Sequence, residues 1–572
     1  MLGVAIPLGT SAITLTSCND FLDLKPLSEI VFENYWEDKA DVESAVNSCY
    51  SGMLEDGFMK NLYIWGEMRS DNIVYSKSGD DINIQQIIEE NILETNPNVK
   101  WAGFYQVINR CNTVIYYAPE VAEKDPNYTE SDLRANIAEA TWIRSLSYFY
   151  LARTFRDVPY VTTPSMTDDD IDGDYRIEPT PFKTLLRQLI TDLEAVQGDA
   201  MRFYPPSNPG SKYYSSRRTG SVRASNRANT SRVTQIAFYS LIADIAMWLE
   251  DYQTVIDYTK RVIDFKANLY RETKDEYPSY VSGIRLAYDK YPLILEMLPG
   301  DTESGNAYRE IFGIGNSFES VFEIYGQDQS KENAILNAFV QNVKTGAVLC
   351  NVYSGLYEDA FGTSNKYFKY TDSRMCENFE FPIPEGSMQI QKYRNDYVRY
   401  TPPTSSGSVP TVTVSSTYYP NWIIYRLTDI MLLRAEALIE LGGEENLAEA
   451  FELISAVYNR ANNLNEGSAN GLNASNYPDQ TSMRQLVREE RHRELMFEGK
   501  RWYDLVRYAL HDGNNESLIS TVLPKQQKNA NRIRIQLKSQ DALFWPYSER
   551  ELDMNPHLKQ NPAYITNETS KK

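Results

Sequence analysis

Three histidines, His492, His511 and His557, stand far apart in a chain of 572 residues, so imidazole chemistry has little material to work with. Cys18, Cys49, Cys111, Cys350 and Cys376 are also scattered, with neither metal-ligand spacing nor the density of a disulfide framework. Carboxylates are abundant, and one run has the spacing of a ligand set. Asp168-Asp-Asp-Ile-Asp-Gly-Asp174 puts Asp168, Asp170 and Asp172 at alternate positions before Gly173. Calcium loops share that pattern because a hard cation takes several oxygens around one turn. Pro179 stands where the closing glutamate belongs, with Glu178 beside it, so the run reads first as a solvated acidic loop and second as a Ca2+ site. No other cofactor is expected. His492 lies among charges, without a nucleophile or metal-ligand partner, and reads as a charged-face residue; Glu436, in an Ala-rich helix, reads as a structural carboxylate held by arginine. The enzyme alternative is a secreted glycoside hydrolase with two carboxyls about 5–10 Å apart. With 78 acidic residues such pairs are easily proposed, and the strongest motifs fall on helix faces instead.

Covalent chemistry of another kind is written at the N-terminus. Residues 2–15 carry no charge, which suits the apolar region of a secretory signal peptide and is too short to span a bilayer. The run ends in Leu15-Thr-Ser-Cys18, which resembles a bacterial lipobox. On that reading residues 1–17 are a lipoprotein signal peptide, Cys18 is lipidated, and residues 18–33 are a tether to the outer membrane. The alternative is an ordinary signal peptide with an incidental cysteine. Mean hydropathy is -0.48 and no later apolar run is long, so the acyl chains would be the anchor.

The net charge of -21 argues against nucleic acid, whose phosphates need a basic footprint. Between 202 and 232 that balance inverts: Arg202, Lys212, Arg217, Arg218, Arg223, Arg227 and Arg232 occur without an Asp or Glu. The stretch reads as a polar loop leading into a helix at Val233, or as an attractor for an acidic glycan. Aromatics are in excess, with 41 Tyr, 21 Phe and 8 Trp, which suits a surface gripping amphipathic ligands by ring face and hydroxyl.

The elements that would position these groups are helical. Apolar residues recur at three and four over 38–53, 101–115 and 131–155, the last stopped by Asp157-Val-Pro159. A further helix covers 181–196. Two hairpins then repeat one design, 233–249 with 252–262 and 427–441 with 447–461, each opening on an Ala-rich helix that lets its partner come close. Such pairs look like tetratricopeptide units, which bury their faces by stacking. The fold class is therefore mainly α, a degenerate tetratricopeptide-like repeat scaffold with a long irregular, loop-rich insertion. That insertion, 266–420, is dense in Tyr, Gly, Pro, Ser and Asn, and long insertions in compact proteins are usually functional.

The segment Arg488-Glu-Glu-Arg-His-Arg-Glu-Leu-Met-Phe-Glu-Gly-Lys-Arg-Trp-Tyr-Asp-Leu-Val-Arg507 resembles the signature of the SusD/RagB family of surface nutrient-binding lipoproteins. Four other stretches agree with it in order: 18–26, 138–153, 426–437, and 545–556 running on to Gln560-Asn-Pro562. On its own spacing the signature reads as one helix weakened at Gly499, with Glu489 and Arg493 paired at i, i+4 and Arg491 and Glu494 at i, i+3. Its charges form a partly buried network seating the helix on the scaffold. The resemblance implies a SusD-like helical-repeat region over 34–265, the insertion over 266–420 as ligand region, and a RagB/SusD-like helical region over 421–572. It also implies a non-catalytic outer-membrane receptor that binds an oligosaccharide, or in some members a peptide, and serves a SusC-like TonB-dependent transporter. The ligand platform would come from Arg69, Asp71, Asn72 and Tyr75 after the first helices, and from Tyr325, Gln327, Asp328, Asn351, Tyr353 and Tyr357 in the insertion. Aromatic faces stack on sugar rings while Arg, Asp, Asn and Gln satisfy hydroxyls.

Overall fold

A computed structural model describes residues 35–565, apart from 167–172, 174–175, 205–228, 277–281, 326–334, 336–338, 340–347, 358–366, 382–386, 395–396, 403, 406–407, 416–419 and 527. The principal helices are α1 (Lys39–Met53), α2 (Asp56–Glu67), α3 (Ile82–Ile88), α4 (Ala102–Lys124), α5 (Glu130–Phe155), α6 (Phe182–Val196), α7 (Gln235–Trp248), α8 (Tyr252–Glu276), α9 (Leu427–Leu441), α10 (Glu444–Ala461), α11 (Gln480–Leu495) and α12 (Arg501–Asp512). Their starts follow from local chemistry. Asp38, Thr129 and Asp479 each accept the N3 amide of their helix in a capping box, satisfying amides that no helical carbonyl can reach. Gly442 and Gly443, at φ +69° and +91°, make the tight reversal between α9 and α10 that a residue with a Cβ resists.

The helices stack on one another: α4 on α5, α6 on α5, α7 on α8, α8 on α9, and α9 on both α10 and α11. This is the mainly α, tetratricopeptide-like scaffold read from periodicity. Helix α5 is buried along nearly its whole length from Leu133, as a central helix must be. Two elements exceed their periodic signal. Helix α4 continues to Lys124, and α8 runs to Glu276, past position 266 where the patterning fails in sequence. The signature is two helices. Between Leu495 and Arg501 the chain turns through Phe497 and Gly499, both at positive φ. Gly66 of α2 packs against this break so closely that a Cβ there would lie 1.8 Å from the Gly499 carbonyl oxygen.

The irregular region is organised by ladders of two strands. They are β1 (Ile73–Tyr75), β2 (Val158–Pro159), β3 (Pro179–Thr180), β4 (Ile284–Ala287), β5 (Tyr291–Ile294), β6 (Ser320–Ile324), β7 (Cys350–Val352), β8 (Tyr397–Thr401), β9 (Thr411–Ser415) and β10 (Trp422–Arg426). Sequence neighbours β2–β3, β4–β5 and β8–β9 pair as antiparallel ribbons. The long-range pairs are β6 with β10, bulged in register, and β1 with β7, in which Ile73 faces Val352 and Tyr75 faces Cys350. Among the described residues no helix is long and apolar enough to cross a membrane.

Candidate functional site

Pairing of β1 with β7 brings the two predicted platform segments together across about 280 positions of sequence. The ladder is extended at both ends, by Ser76 N–H donating to the Leu349 carbonyl (2.9 Å) and Tyr353 N–H donating to the Asn72 carbonyl (2.9 Å). Tyr353 and Tyr357 lie half-buried along the ledge that follows β7, and Tyr75, also half-buried, stands on the opposite face of the ladder, the one that carries Cys350 and Val352. Two of the rings rest on glycine. A Cβ on Gly79 would meet the Tyr75 ring at 2.7 Å, and one on Gly355 would meet the Tyr353 ring at 2.5 Å. Each ring is thus seated on bare backbone on one side. Tyr357 stands 6.3 Å from Phe379, ring to ring. Burial raises the Tyr75 phenol above its ordinary value, so it is a neutral hydroxyl that can donate and accept.

The lead-in to β1 is held from behind. Arg69 is fully buried, paired with Glu90 at 2.6 Å, donating to the Ala542 and Leu543 carbonyls (2.7 and 3.0 Å), and lying 4.0 Å over the Trp502 ring. Asp71 takes a bidentate grip from Arg501 (2.8 and 3.0 Å). Burial would raise its carboxyl, but Arg501, with His492 adding, pulls it down to about 2. Asn72 Nδ2 donates to Glu67 (2.6 Å) while its Oδ1 meets His492 Nε2 at 2.6 Å. Glu67 also accepts the Gly499 N–H at 3.1 Å; burial pushes its carboxyl up to about 7 against those hydrogen bonds. The ledge is therefore bolted to the signature by Asn72–His492, Asp71–Arg501 and Glu67–Gly499.

The same segment carries a second, deeper ionic core. Glu494 accepts from Arg426 (2.6 Å), Arg460 (2.5 Å) and Arg374 (3.1 Å), and Glu498 binds Arg426 and Lys392 (2.7 and 2.8 Å). The signature charges are a seating network, as read, but the Arg491–Glu494 pairing is replaced: Arg491 turns to Asp429 (2.7 Å) and Asp504 (2.9 Å). Spacing at i, i+3 permits a contact on one helix, and buried partners on other elements outcompete it here. Glu489 and Arg493 do approach, at 3.8 Å. Glu436 is gripped by both terminal nitrogens of Arg507, as a structural carboxylate. His492 is buried against Asn72 and not on an exposed charged face.

Of the predicted platform residues, the ladder gathers Asn72, Tyr75, Asn351, Tyr353 and Tyr357. Arg69, Asp71, Asn72 and Asn351 have buried side chains, and the first three are tied to the interior, so they shape the ledge from within and do not meet solvent. Polar residues beside an aromatic read as ligand contacts in sequence; here burial and internal partners claim them. Tyr325, half-buried, follows directly on β6 of the separate β6–β10 ladder. Gln327, Asp328, Asp168, Asp170, Asp172 and Cys18 lie outside the described residues, as do Lys212, Arg217, Arg218, Arg223 and Arg227. Arg232 pairs with Glu139 at 2.5 Å. Gly79 and Gly355, which seat the rings, were not legible as site residues, although each lies within four positions of its tyrosine. A hollow of about 410 Å³ between α4, the 159–165 strand segment and helix Glu549–Met554 was also unannounced; its walls include Trp101 and Tyr105. Among the described residues no three His, Cys, Asp or Glu side chains gather to hold a metal ion. The carboxylates behind the ledge, Glu67 and Asp71, are buried.

Comparison with known proteins follows the same geography. The SusD family matches residues 351–564, which hold β7 and the signature, and a family described as starch-binding, associating with outer membrane, matches 20–207, which hold β1. The chain belongs to the SusD/RagB family. Two SusD-like proteins of Formosa agariphila are each 25% identical to it, over 560 and 561 residues, covering 96% of this chain and 96% and 98% of theirs. A SusD superfamily protein from Bacteroides vulgatus has the same fold, with TM-score 0.63 at 18% identity, covering 92% of this chain and all of its own. So does the surface glycan-binding protein A from Bacteroides fluxus, with TM-score 0.60 at 17% identity and 92% of this chain covered. In this SusD-like protein the two family regions meet physically at the β1–β7 ladder.

Proposed function

We propose that this chain is a non-catalytic cell-surface lipoprotein that binds an oligosaccharide on the Tyr353–Tyr357 ledge. It delivers that ligand to a SusC-like TonB-dependent outer-membrane transporter, with Cys18 carrying the acyl anchor. The observation that carries the reading is the ledge itself: the half-buried phenol rings of Tyr353 and Tyr357, the first seated on glycine, following a strand that the ladder joins to β1 and the family signature braces. Pyranose rings offer apolar C–H faces to such rings and hydroxyls to their phenols. The family description as starch-binding and the glycan-binding relative support the same ligand class. The energetics are coherent, since a millimolar site contributes only about -4 kcal/mol. Tethering at a transporter mouth makes delivery effectively intramolecular, so weak binding suffices.

Calorimetric titration with starch oligosaccharides and other neutral glycans tests this. Saturable binding that falls in Tyr353→Ala, with no product on chromatography after prolonged incubation, is expected. Binding confined to peptides, or cleavage of the glycan, refutes it. Mass measurement of the N-terminal peptide from cells tests acylation of Cys18, and affinity purification tests the transporter.

A further inference from the structure

A second concavity, of about 350 Å³, opens where α8 meets β5 and the α9–α10 hairpin. Its lining includes the cations Lys260, Arg271, Lys290 and Arg434 against the acids Asp264 and Glu449, an excess of two positive charges in a chain of net -21. Lys260 pairs with Asp264 at 2.5 Å and Arg434 with Glu449 at 2.7 Å, which leaves the other two cations. Lys290 is drawn to the rim by Glu452 at 2.8 Å. Arg271 donates, among the described residues, to neutral oxygens: Asn268 Oδ1 at 3.2 Å and the Asp289 carbonyl at 2.9 Å.

An independent observation lies in the wall of the cleft. Tyr291 is 2% exposed, and among the described residues its hydroxyl has no hydrogen-bond partner. Buried hydroxyls are normally bonded, and one left over asks for a partner that is not part of the chain. Burial raises this phenol, with Glu449 and Glu452 adding and Arg434 opposing, so the hydroxyl lies in the field of cleft residues and stays protonated as a donor. A neutral donor in the wall of a cleft whose lining also carries guanidinium and ammonium groups can receive an oxyanion. The volume falls in the range of small-ligand sites and admits a single sugar ring.

We propose that this cleft binds an acidic monosaccharide unit through its carboxylate or sulfate, with Arg271 holding the anion and Tyr291 donating to it. Only the sugar part of the ligand rests on the glycan-receptor reading; the anion site stands on the cleft alone, and it gives the protein a second contact with a charged glycan.

The test uses the full mature chain, titrated with glucuronate, a sulfated monosaccharide, glucose and inorganic sulfate by calorimetry and by thermal shift. Saturable binding of glucuronate or the sulfated sugar, absent for glucose and weakened about tenfold by Arg271→Gln or by 0.3 M salt, is expected. Tyr291→Phe should weaken it too while leaving the unliganded melting midpoint unchanged or higher, because the substitution removes an unpartnered buried hydroxyl. Absence of saturable binding by any anion overturns the proposal, as does binding that both variants leave intact. Inorganic sulfate binding as tightly as the acidic sugars overturns the saccharide assignment. Tyr353→Ala separates the two readings: it abolishes neutral-glycan binding if the ledge is right and leaves glucuronate binding alone. Neutral-glycan binding without anion binding sinks the cleft and spares the ledge.

Discussion

Two glutamates five residues apart on one helix test whether the signature network holds the fold. Glu489 has a half-exposed side chain that meets Arg493 at 3.8 Å, whereas Glu494 is sealed beneath Arg426, Arg460 and Arg374. Glu489→Gln deletes a solvent-screened contact and costs less than about 1 kcal/mol. Glu494→Gln leaves Arg374 with Asp372 at 2.7 Å and Glu490 at 2.8 Å, and Arg426 with Glu498 at 2.7 Å. Arg460 fares worst, because its remaining carboxylates, Glu319 and Glu296, stand at 3.6 and 3.9 Å. The loss therefore amounts to one broken buried pair, about 3–5 kcal/mol. Unfolding entropy of about 2.1 cal/mol/K per residue across 572 residues converts this to a fall in melting midpoint of about 3–4 °C, against less than about 1 °C for Glu489→Gln. Burial would raise the Glu494 carboxyl, but Arg460, Arg426 and Arg374 hold it well below the usual carboxylate range. Its contribution is thus complete above the ordinary glutamate range and lost only as pH falls through that depressed value. Scanning calorimetry at pH 7 reads the pair of variants, and Glu494→Gln combined with Arg460→Met should recover most of the loss. Equal shifts for the two glutamates, or no recovery in the double variant, would refute the reasoning.

Gly66→Ala should strip the protein of soluble expression or lower its midpoint by at least as much as Glu494→Gln, since the new methyl would sit 1.8 Å from the Gly499 carbonyl oxygen; a melt matching the unmodified protein counts against the close packing. Gly355→Ala should leave circular dichroism and melting intact yet weaken neutral-glycan binding about two- to tenfold, the value of about 0.5–1.5 kcal/mol for one well-set aromatic contact. Unchanged calorimetric affinity would remove Tyr353 from the site. Glu67, raised to about 7, gives up stability as pH climbs from its ordinary range through 7, because the folded state then loses a proton it had retained longer than the unfolded chain. Glu67→Gln should flatten that limb of a melting-versus-pH profile, and a profile identical to the unmodified protein would show that Glu67 does not titrate there.

Periodicity made the helical scaffold legible because apolar stripes and caps are local: α1, α6 and α9 start and stop within two positions of their signals. The break at Gly499 was half legible. A glycine marks a weak point in a helix, but Phe497 adopting positive φ depends on the contact with α2, which no local rule announces. The predicted platform was legible as two segments and not as the one ladder they form. Tyr75 and Tyr353 carry the same letters whether they face solvent or core, and the pairing of β1 with β7 decides the matter. Arg69 and Asp71 misled for a related reason: a charged residue in a loop reads as solvated until Glu90 and Arg501 are found beside it.

Arg69 also binds a carbonyl 474 positions further along the chain, and the ledge behind it is braced by residues near 490–500. A chain emerging N-terminus first therefore completes its front surface only when its last tenth has arrived. Products truncated before Leu543 would lack this brace, so a finished ledge doubles as a certificate that synthesis has passed that point.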